Sequence, residues 1–401
     1  MYINNSMKSW KVGKAFIIFL LIGIQAFAGT LFASTTDSLK TIEPPGVVVD
    51  HIAKSTGCYV GSPSICIMPN GDYVASHDEF GPNSGEHNSA KTLIFESKDK
   101  GKSWRKICQI DGQFWSNLFQ IKGDLYIMGM SKNHGNVIIR KSTDEGMTWT
   151  IPINRKSGLI LEGEYHTAST PMAVYKGRIW RAVEDATSET KKWPERYSAM
   201  MLSAPVNSDL LDGDNWIHTE RQPSDKSYLN GACVGWLEGN AVVTKKGIVD
   251  VLRVHSPSIK DKEYLALLDV NSVSPIPKFY EFPGGSKKFT IRYDKKTRLY
   301  WTIVNNIPAS YQGKAQTDQL RNFCSVATSK NLKTWIVRKL IFSHDDFLKH
   351  AFQYVDWLFE GKDIILVSRT AFDDEEGGAD NYHNANYLTF YRISNYKSIL
   401  K

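Results

Sequence analysis

Two eight-residue segments, Ser97–Trp104 and Ser142–Trp149, repeat one pattern, Ser-x-Asp-x-Gly-x-Ser/Thr-Trp. The residue types are those of a tight turn. An Asp carboxylate accepts backbone N–H groups just ahead of it, Gly tolerates positive φ, and the Ser/Thr hydroxyl closes the hairpin. The Trp ring is then free to pack on the neighbouring repeat. The second copy starts 45 residues after the first, the spacing of one four-stranded propeller blade. These turns staple hairpins, so Asp99 and Asp144 are read as architectural rather than catalytic.

The rest of the chain has the same texture. Short apolar runs at Ser64–Met68, Asp72–Ser76, Thr92–Glu96, Lys106–Ile110, Phe114–Ile121, Asp124–Met130 and Val137–Lys141 alternate with Gly, Asn and Asp turns. That is the signature of an all-β chain. Related phrases recur at Pro171–Trp180, Asn240–Asp250, Phe289–Trp301 and Tyr354–Arg369, with degenerate turn motifs at Asp209–Trp216 and Thr328–Trp335. Helical periodicity is absent apart from a short candidate near His344–Phe352. No linker-like tract interrupts residues 44–401, so they are read as one β-propeller domain. At about 45–50 residues per blade, seven blades are expected, with six as the alternative. The strand Tyr387–Ile393 is expected to complete the first blade and so hide its free edge.

The chain opens with Lys8, Lys11 and Lys14, then an apolar run, Ala15–Ala28, that ends Ala-x-Ala. This predicts a signal peptide over residues 1–28, a polar leader over 29–43, and a periplasmic or secreted protein with no membrane span in its mature form. Without residues 1–28 the net charge falls from +7 to +4, with Lys and Arg scattered. That distribution argues against nucleic acid. Five cysteines at irregular spacing form no CxxC pattern and suit buried thiols, with room for one disulfide. No spacing suggests a metal site, and no cofactor is implied.

Polar clusters at strand ends are where a propeller concentrates its chemistry. His77 and Asp78 stand after an apolar strand, an imidazole beside carboxylates suited to proton transfer. Glu164 and His166 lie together just before the Pro171 phrase. Glu238 precedes a turn at Lys246-Gly247 that brings Arg253 back beside it, predicting an ion pair. Arg369 sits at a strand end where a guanidinium can take a carboxylate in two hydrogen bonds. His383 and Asn384 offer partners for sugar hydroxyls. His77, Asp78, Glu164, His166 and Glu238 are thus the catalytic candidates, and Arg253, Arg369, His383 and Asn384 the substrate-binding ones.

The repeated eight-residue phrase resembles the Asp-box of the sialidase superfamily. In that family an Arg-Ile-Pro phrase opens the first blade, and a later Glu, Gly turn and Arg carry part of the site. Glu238, Gly247 and Arg253 resemble the second feature. At the first, this chain has Ser62-Pro63-Ser64, so the resemblance implies an arginine triad short of one member. It also implies a late Tyr nucleophile, for which Tyr382 and Tyr387 are the candidates. The phrases Gly61–Cys66, Ala75–Asp78, Gly177–Ala182, Trp236–Asn240 and Tyr382–Tyr387 resemble glycoside hydrolase family 145 of gut Bacteroidetes. That resemblance implies a seven-bladed α-L-rhamnosidase cleaving rhamnose α-1,4-linked to glucuronic acid, with chemistry centred on one histidine, for which His77 is a candidate. The expectation is an exo-acting glycoside hydrolase of uronic-acid-containing plant glycans. The alternatives are a sialidase-like hydrolase, a uronate lyase and a non-catalytic glycan-binding propeller.

Overall fold

The alternating runs become antiparallel strands joined mostly by tight turns. The computed structural model describes residues 43–81, 90–270, 272 and 275–401; the predicted signal peptide and all but the last residue of the leader lie outside them. Tyr59–Ile67, Tyr73–Phe80, Lys91–Ser97 and Arg105–Asp111 pair in order as one four-stranded sheet. Gly235–Val243 to Lys278–Glu281 form a second, and Thr290–Asp294 to Trp335–Ser343 a third. Ala351–Glu360, Asp363–Ala371 and Tyr387–Ile393 make a fourth with the N-terminal strand Val47–His51. Apolar clusters fill the space between neighbouring sheets. One joins Val60, Ile65 and Phe95 of the first sheet to Ile365, Val367 and Phe390 of the last, and such side chains contribute about 1.5–3 kcal/mol each when fully buried.

The propeller architecture is as expected, but the blade count is not. Four separate four-stranded sheets form, rather than seven or six. The nine strands from Phe114–Ile121 to Gln222–Pro223 make one continuous sheet. The reason is local: Tyr165 and His166, ending the strand Leu159–His166, pair with Asp185 and Glu184 of the strand Arg178–Asp185. Ring closure also differs in detail. Val47–His51 adds to Tyr387–Ile393 as the outer strand of the last sheet, so the N-terminus closes that sheet and the C-terminus does not complete the first. The segment between Ser343 and Ala351 is turn, not helix. All five thiols are free.

The repeated turn phrases behave as their chemistry requires. Asp99 accepts from the Ser103 hydroxyl at 2.6 Å and the Ser103 N–H at 2.9 Å, and Asp144 does the same for Thr148 at 2.5 and 2.9 Å. The Trp104 ring lies 5.4 Å from Phe390 of the adjacent sheet.

A second repeat emerges only in three dimensions. The innermost strands Tyr59–Ile67, Phe114–Ile121, Gly235–Val243 and Ala351–Glu360 each carry a bulge at the same place, between Val60/Pro63, Phe114/Asn117, Leu237/Asn240 and Gln353/Asp356. Three of the bulges hold a non-glycine residue in the left-handed region: Trp115 at φ +52, Glu238 at +56 and Tyr354 at +54. Such conformations cost of order 1–3 kcal/mol and mark sites where side chains are re-aimed. At the end of each bulge, or one residue past it, stands a buried polar side chain, Asn117, Asn240 and Asp356 in the first case and Ser64 in the second. These tie one inner strand to the next. Asp356 accepts from the Ser64 hydroxyl at 3.0 Å and the Ile65 N–H at 3.1 Å, Ser64 accepts from Asn117 and the Leu118 N–H at 3.0 Å each, and Asn240 accepts from the Ile291 N–H at 3.0 Å.

Other buried groups brace the bulges themselves. Asp78 accepts from the Ser116 N–H at 3.4 Å, Glu184 from the Gly239 N–H at 3.0 Å, and Lys288 donates to the Val355 carbonyl at 2.9 Å. Burial pushes the Asp78 carboxyl up to about 7, against the hydrogen bond from Thr92 and the attraction of His77 that pull it down.

Two outcomes follow from this framework. Asp356→Ala removes the shared acceptor of two sheets and leaves Arg292, its 3.1 Å partner, without a counter-charge. Urea unfolding is expected to show a loss on the order of 3 kcal/mol. For Asp78, a raised pKa means the folded state keeps its proton while the unfolded chain releases it. Its stabilising contribution is therefore complete below about pH 4 and lost as the pH rises towards about 7. Asp78→Asn is expected to flatten that decline, read as a smaller shift in urea midpoint between about pH 4.5 and about pH 7.5 than in the parent protein.

Candidate functional site

The three left-handed bulge residues open a cluster of buried charge. Glu238 is the hub. Its Oε2 accepts from Arg253 Nη1 at 3.0 Å, and its Oε1 accepts from the Tyr354 hydroxyl at 3.1 Å. The hairpin through Lys246-Gly247 sets the first contact, since Arg253 pairs with Leu237 across the sheet. The second arises because Tyr354 occupies the same bulge position on another inner strand. Burial raises the Glu238 pKa, but the charges of Arg253 and His166 and the two hydrogen bonds more than offset it. Its carboxyl is thus held below the usual range. Burial lowers the Arg253 pKa, and Glu238 overcomes that, leaving the guanidinium firmly charged.

Three arginines surround Tyr354. Arg253 reaches it through Glu238, while the Arg369 and Arg321 guanidinium carbons lie 5.0 and 5.7 Å from its ring centre. Arg321 is held by Gln353 and the Asp318 carbonyl. Arg369 is fully buried against the rings of Phe80, at 4.8 Å, and Tyr59, at 6.0 Å. Its Nη2 donates to the His383 carbonyl and lies 3.3 Å from His383 Nδ1, whereas Nε and Nη1 have no partner among the described residues. Burial brings its pKa down to about 10. Two uncommitted donor nitrogens on one buried guanidinium leave its positive charge available to an anion. His383 is held neutral, its pKa depressed to about 2 by burial and by Arg369 and Arg321. Asn384 Oδ1 lies 3.1 Å from His383 Nδ1 and so adjoins this group.

His166 extends the cluster on its other side. Its Nδ1 lies 2.8 Å from Glu184 Oε2, and its ring packs between Trp115, at 5.0 Å, and Tyr197, at 4.5 Å. Glu184 thereby orients an imidazole with one oxygen and holds the Glu238 bulge with the other. Gly239 is required beside it, because a Cβ there would run into Asp250.

The remaining sequence candidates lie apart from Glu238. His77 is fully buried, with Nε2 2.8 Å from Asp50, Nδ1 2.9 Å from the Asp78 carbonyl and its ring stacked on Phe95. Asp78 braces the Trp115 bulge. Glu164 is half exposed and pairs with Lys191 and Arg196 at 2.8 Å each. Sequence reasoning missed Tyr354, Arg321 and Trp115. The tyrosines expected from the resemblance are elsewhere: Tyr382 packs near Arg321, and Tyr387 stacks on His51 at 4.4 Å. The three arginines near Tyr354 also differ from the expected shortfall of one. The turn Asp residues are remote from the cluster, bound up in their own hairpins.

No family model matches the chain, and no curated protein matches it in sequence. Solved structures do match in shape. The α-L-arabinanase of Penicillium chrysogenum, complexed with arabinobiose, superposes with a TM-score of 0.53 at 14% identity, covering 88% of this chain and 98% of its own. The GH93 α-L-arabinofuranosidase of Fusarium graminearum, also with arabinobiose, gives 0.57 at 11% identity over 89% and 98%. A Hadza microbial sialidase gives 0.56 at 11% identity over 87% and 68%. At these identities the likeness establishes the fold: the chain is a β-propeller of the architecture found in those proteins.

Proposed function

We propose that this chain is a glycoside hydrolase acting on anionic glycans, with Glu238 and Tyr354 at its reaction centre. The observation that carries the reading is the Tyr354 hydroxyl bonded to a buried, ionised Glu238 inside a set of three arginines. A phenol is a weak nucleophile until a base takes its proton, and Glu238 is within hydrogen-bond reach to do so. In this reading the Tyr354 oxygen attacks the anomeric carbon as its proton passes to Glu238. The glycosidic oxygen leaves with a proton supplied by His166, which Glu184 orients. Water then attacks the anomeric carbon while giving a proton to His166, and the Tyr354 oxygen leaves as it takes its proton back from Glu238. Tyrosine is an established exception to the paired-carboxylate rule for glycosidases.

The arginines set the substrate class. Arg369 keeps Nε and Nη1 without a partner among the described residues, which supports an anionic group such as a uronate beside the cleaved bond, with Arg253 and Arg321 adding to the field. His383 and Asn384 supply neutral partners for hydroxyls. The α-L-rhamnosidase reading centred on His77 loses its histidine, since that ring is locked between sheets by Asp50 and Phe95. A basic, apolar start ending Ala-x-Ala supports an exported enzyme that meets such glycans outside the cytoplasm.

The test is a product assay with an arabinogalactan-derived oligosaccharide capped by rhamnosyl-glucuronic acid, and with sialyllactose. Released monosaccharide is followed by chromatography, and unsaturated uronate by near-ultraviolet absorbance. Tyr354→Phe, which keeps the Glu238–Arg253 pair, is expected to lower kcat by about a hundredfold or more with an unchanged melting temperature. Arg369→Lys is expected to raise KM about tenfold by removing the planar fork. Absorbance without free sugar would replace hydrolysis by elimination, and turnover that survives Tyr354→Phe would remove Tyr354 from the chemistry.

A further inference from the structure

Trp193, beside the cluster, is a feature that packing does not account for. The residue is 46% exposed, although an indole gains more from burial than almost any other side chain. The exposure does not come from a loose loop. The Pro194 carbonyl accepts the Tyr197 N–H at 3.2 Å, and the Arg196 N–H bonds the Lys192 carbonyl at 3.0 Å. The buried Arg196 guanidinium grips the Ala186 carbonyl twice, at 3.2 and 3.0 Å. Pro194 also sits so close to Gly235, at the start of an inner strand, that a Cβ on Gly235 would strike it. A large apolar ring is thus held towards solvent on an anchored segment.

Its position relates it to the charged cluster. The Arg253 guanidinium carbon is 5.5 Å from the Trp193 ring centre, and the His255 ring meets it edge-on at 4.7 Å and 63°. Arg253 is the same residue that holds Glu238. His255, at the end of the strand Ile248–His255, has a buried Nδ1 with no hydrogen-bond partner among the described residues. Burial lowers its pKa, which keeps the ring neutral.

We propose that Trp193, backed by His255, is the stacking platform for a second pyranose, the sugar next to the one held at Arg369 and Tyr354. The apolar face of a pyranose, its axial C–H groups, is the ligand such an indole fits. A rigid ring presents that surface without ordering cost on binding. The inference rests on the hydrolase reading for the order of the two sugars, while the binding itself does not need turnover. It makes the chain selective for a glycan longer than one residue, with the terminal bond cut and the penultimate ring recognised.

The experiment compares the parent protein with Trp193→Ala and Trp193→Tyr. The probes are methyl glucuronide and the rhamnosyl-glucuronic-acid-capped oligosaccharide. Binding is read by calorimetry, and KM wherever turnover occurs. Trp193→Ala is expected to weaken the oligosaccharide about tenfold, leave methyl glucuronide unchanged and keep the melting temperature, and Trp193→Tyr to restore most of the loss. If no probe is hydrolysed but the calorimetric difference persists, the platform stands and the hydrolase reading falls. Equal oligosaccharide affinity in the parent and Trp193→Ala, or equal weakening of both probes, would overturn the platform.

Discussion

The ring is held by polar side chains that reach sideways. Ser64, Asn117, Asn240 and Asp356 each stand at or just past the end of a bulge on an inner strand, and three of them accept a backbone N–H of the next. Propeller sheets meet mainly through apolar side chains, which fix distance but not register. A buried acceptor waiting for one particular N–H fixes register, because a misaligned neighbour would leave it unsatisfied at a cost of about 1–3 kcal/mol. The bulges and the candidate site inherit their alignment from these bonds.

The same alignment explains how so many charges stay buried together. An isolated carboxylate or guanidinium in such surroundings costs several kcal/mol, and breaking a buried pair is worse. Glu238 avoids this by splitting its oxygens between Arg253 and Tyr354, Glu184 by serving His166 and the Gly239 N–H. Arg369 is less fully used, with two donor nitrogens left over.

Much of this was legible in residues. The strands Phe114–Ile121 and Asp124–Met130 match the apolar runs at both ends, because their turns are written in Gly and Asp. The Glu238–Arg253 pair follows from hairpin arithmetic, and Arg369 with His383 from polar clusters at strand ends. Tyr354 was illegible, since Phe352-Gln353-Tyr354-Val355 alternates like any strand and nothing local announces a positive φ. The recurring polar residue two places after Trp115, Glu238 and Tyr354 is the signal that would have exposed it. His77 and Asp78 misled for a physical reason. The strand expected to end at Ser76 runs on to Phe80, so an ionisable cluster at a strand exit is in fact interior to the sheet. Blade number failed because the two-residue pairing of Tyr165 and His166 with the next unit has no sequence mark.

The closing strand has a kinetic side. Val47 pairs with Phe390 and His51 with Tyr387, contacts between opposite ends of the described chain. Loop closure over such a separation is slow and comes late. A ribosome delivers the first partner long before the second, so Val47–His51 must remain unpaired until synthesis is nearly finished, and Asp363–Ala371 presents an open edge until Tyr387–Ile393 arrives.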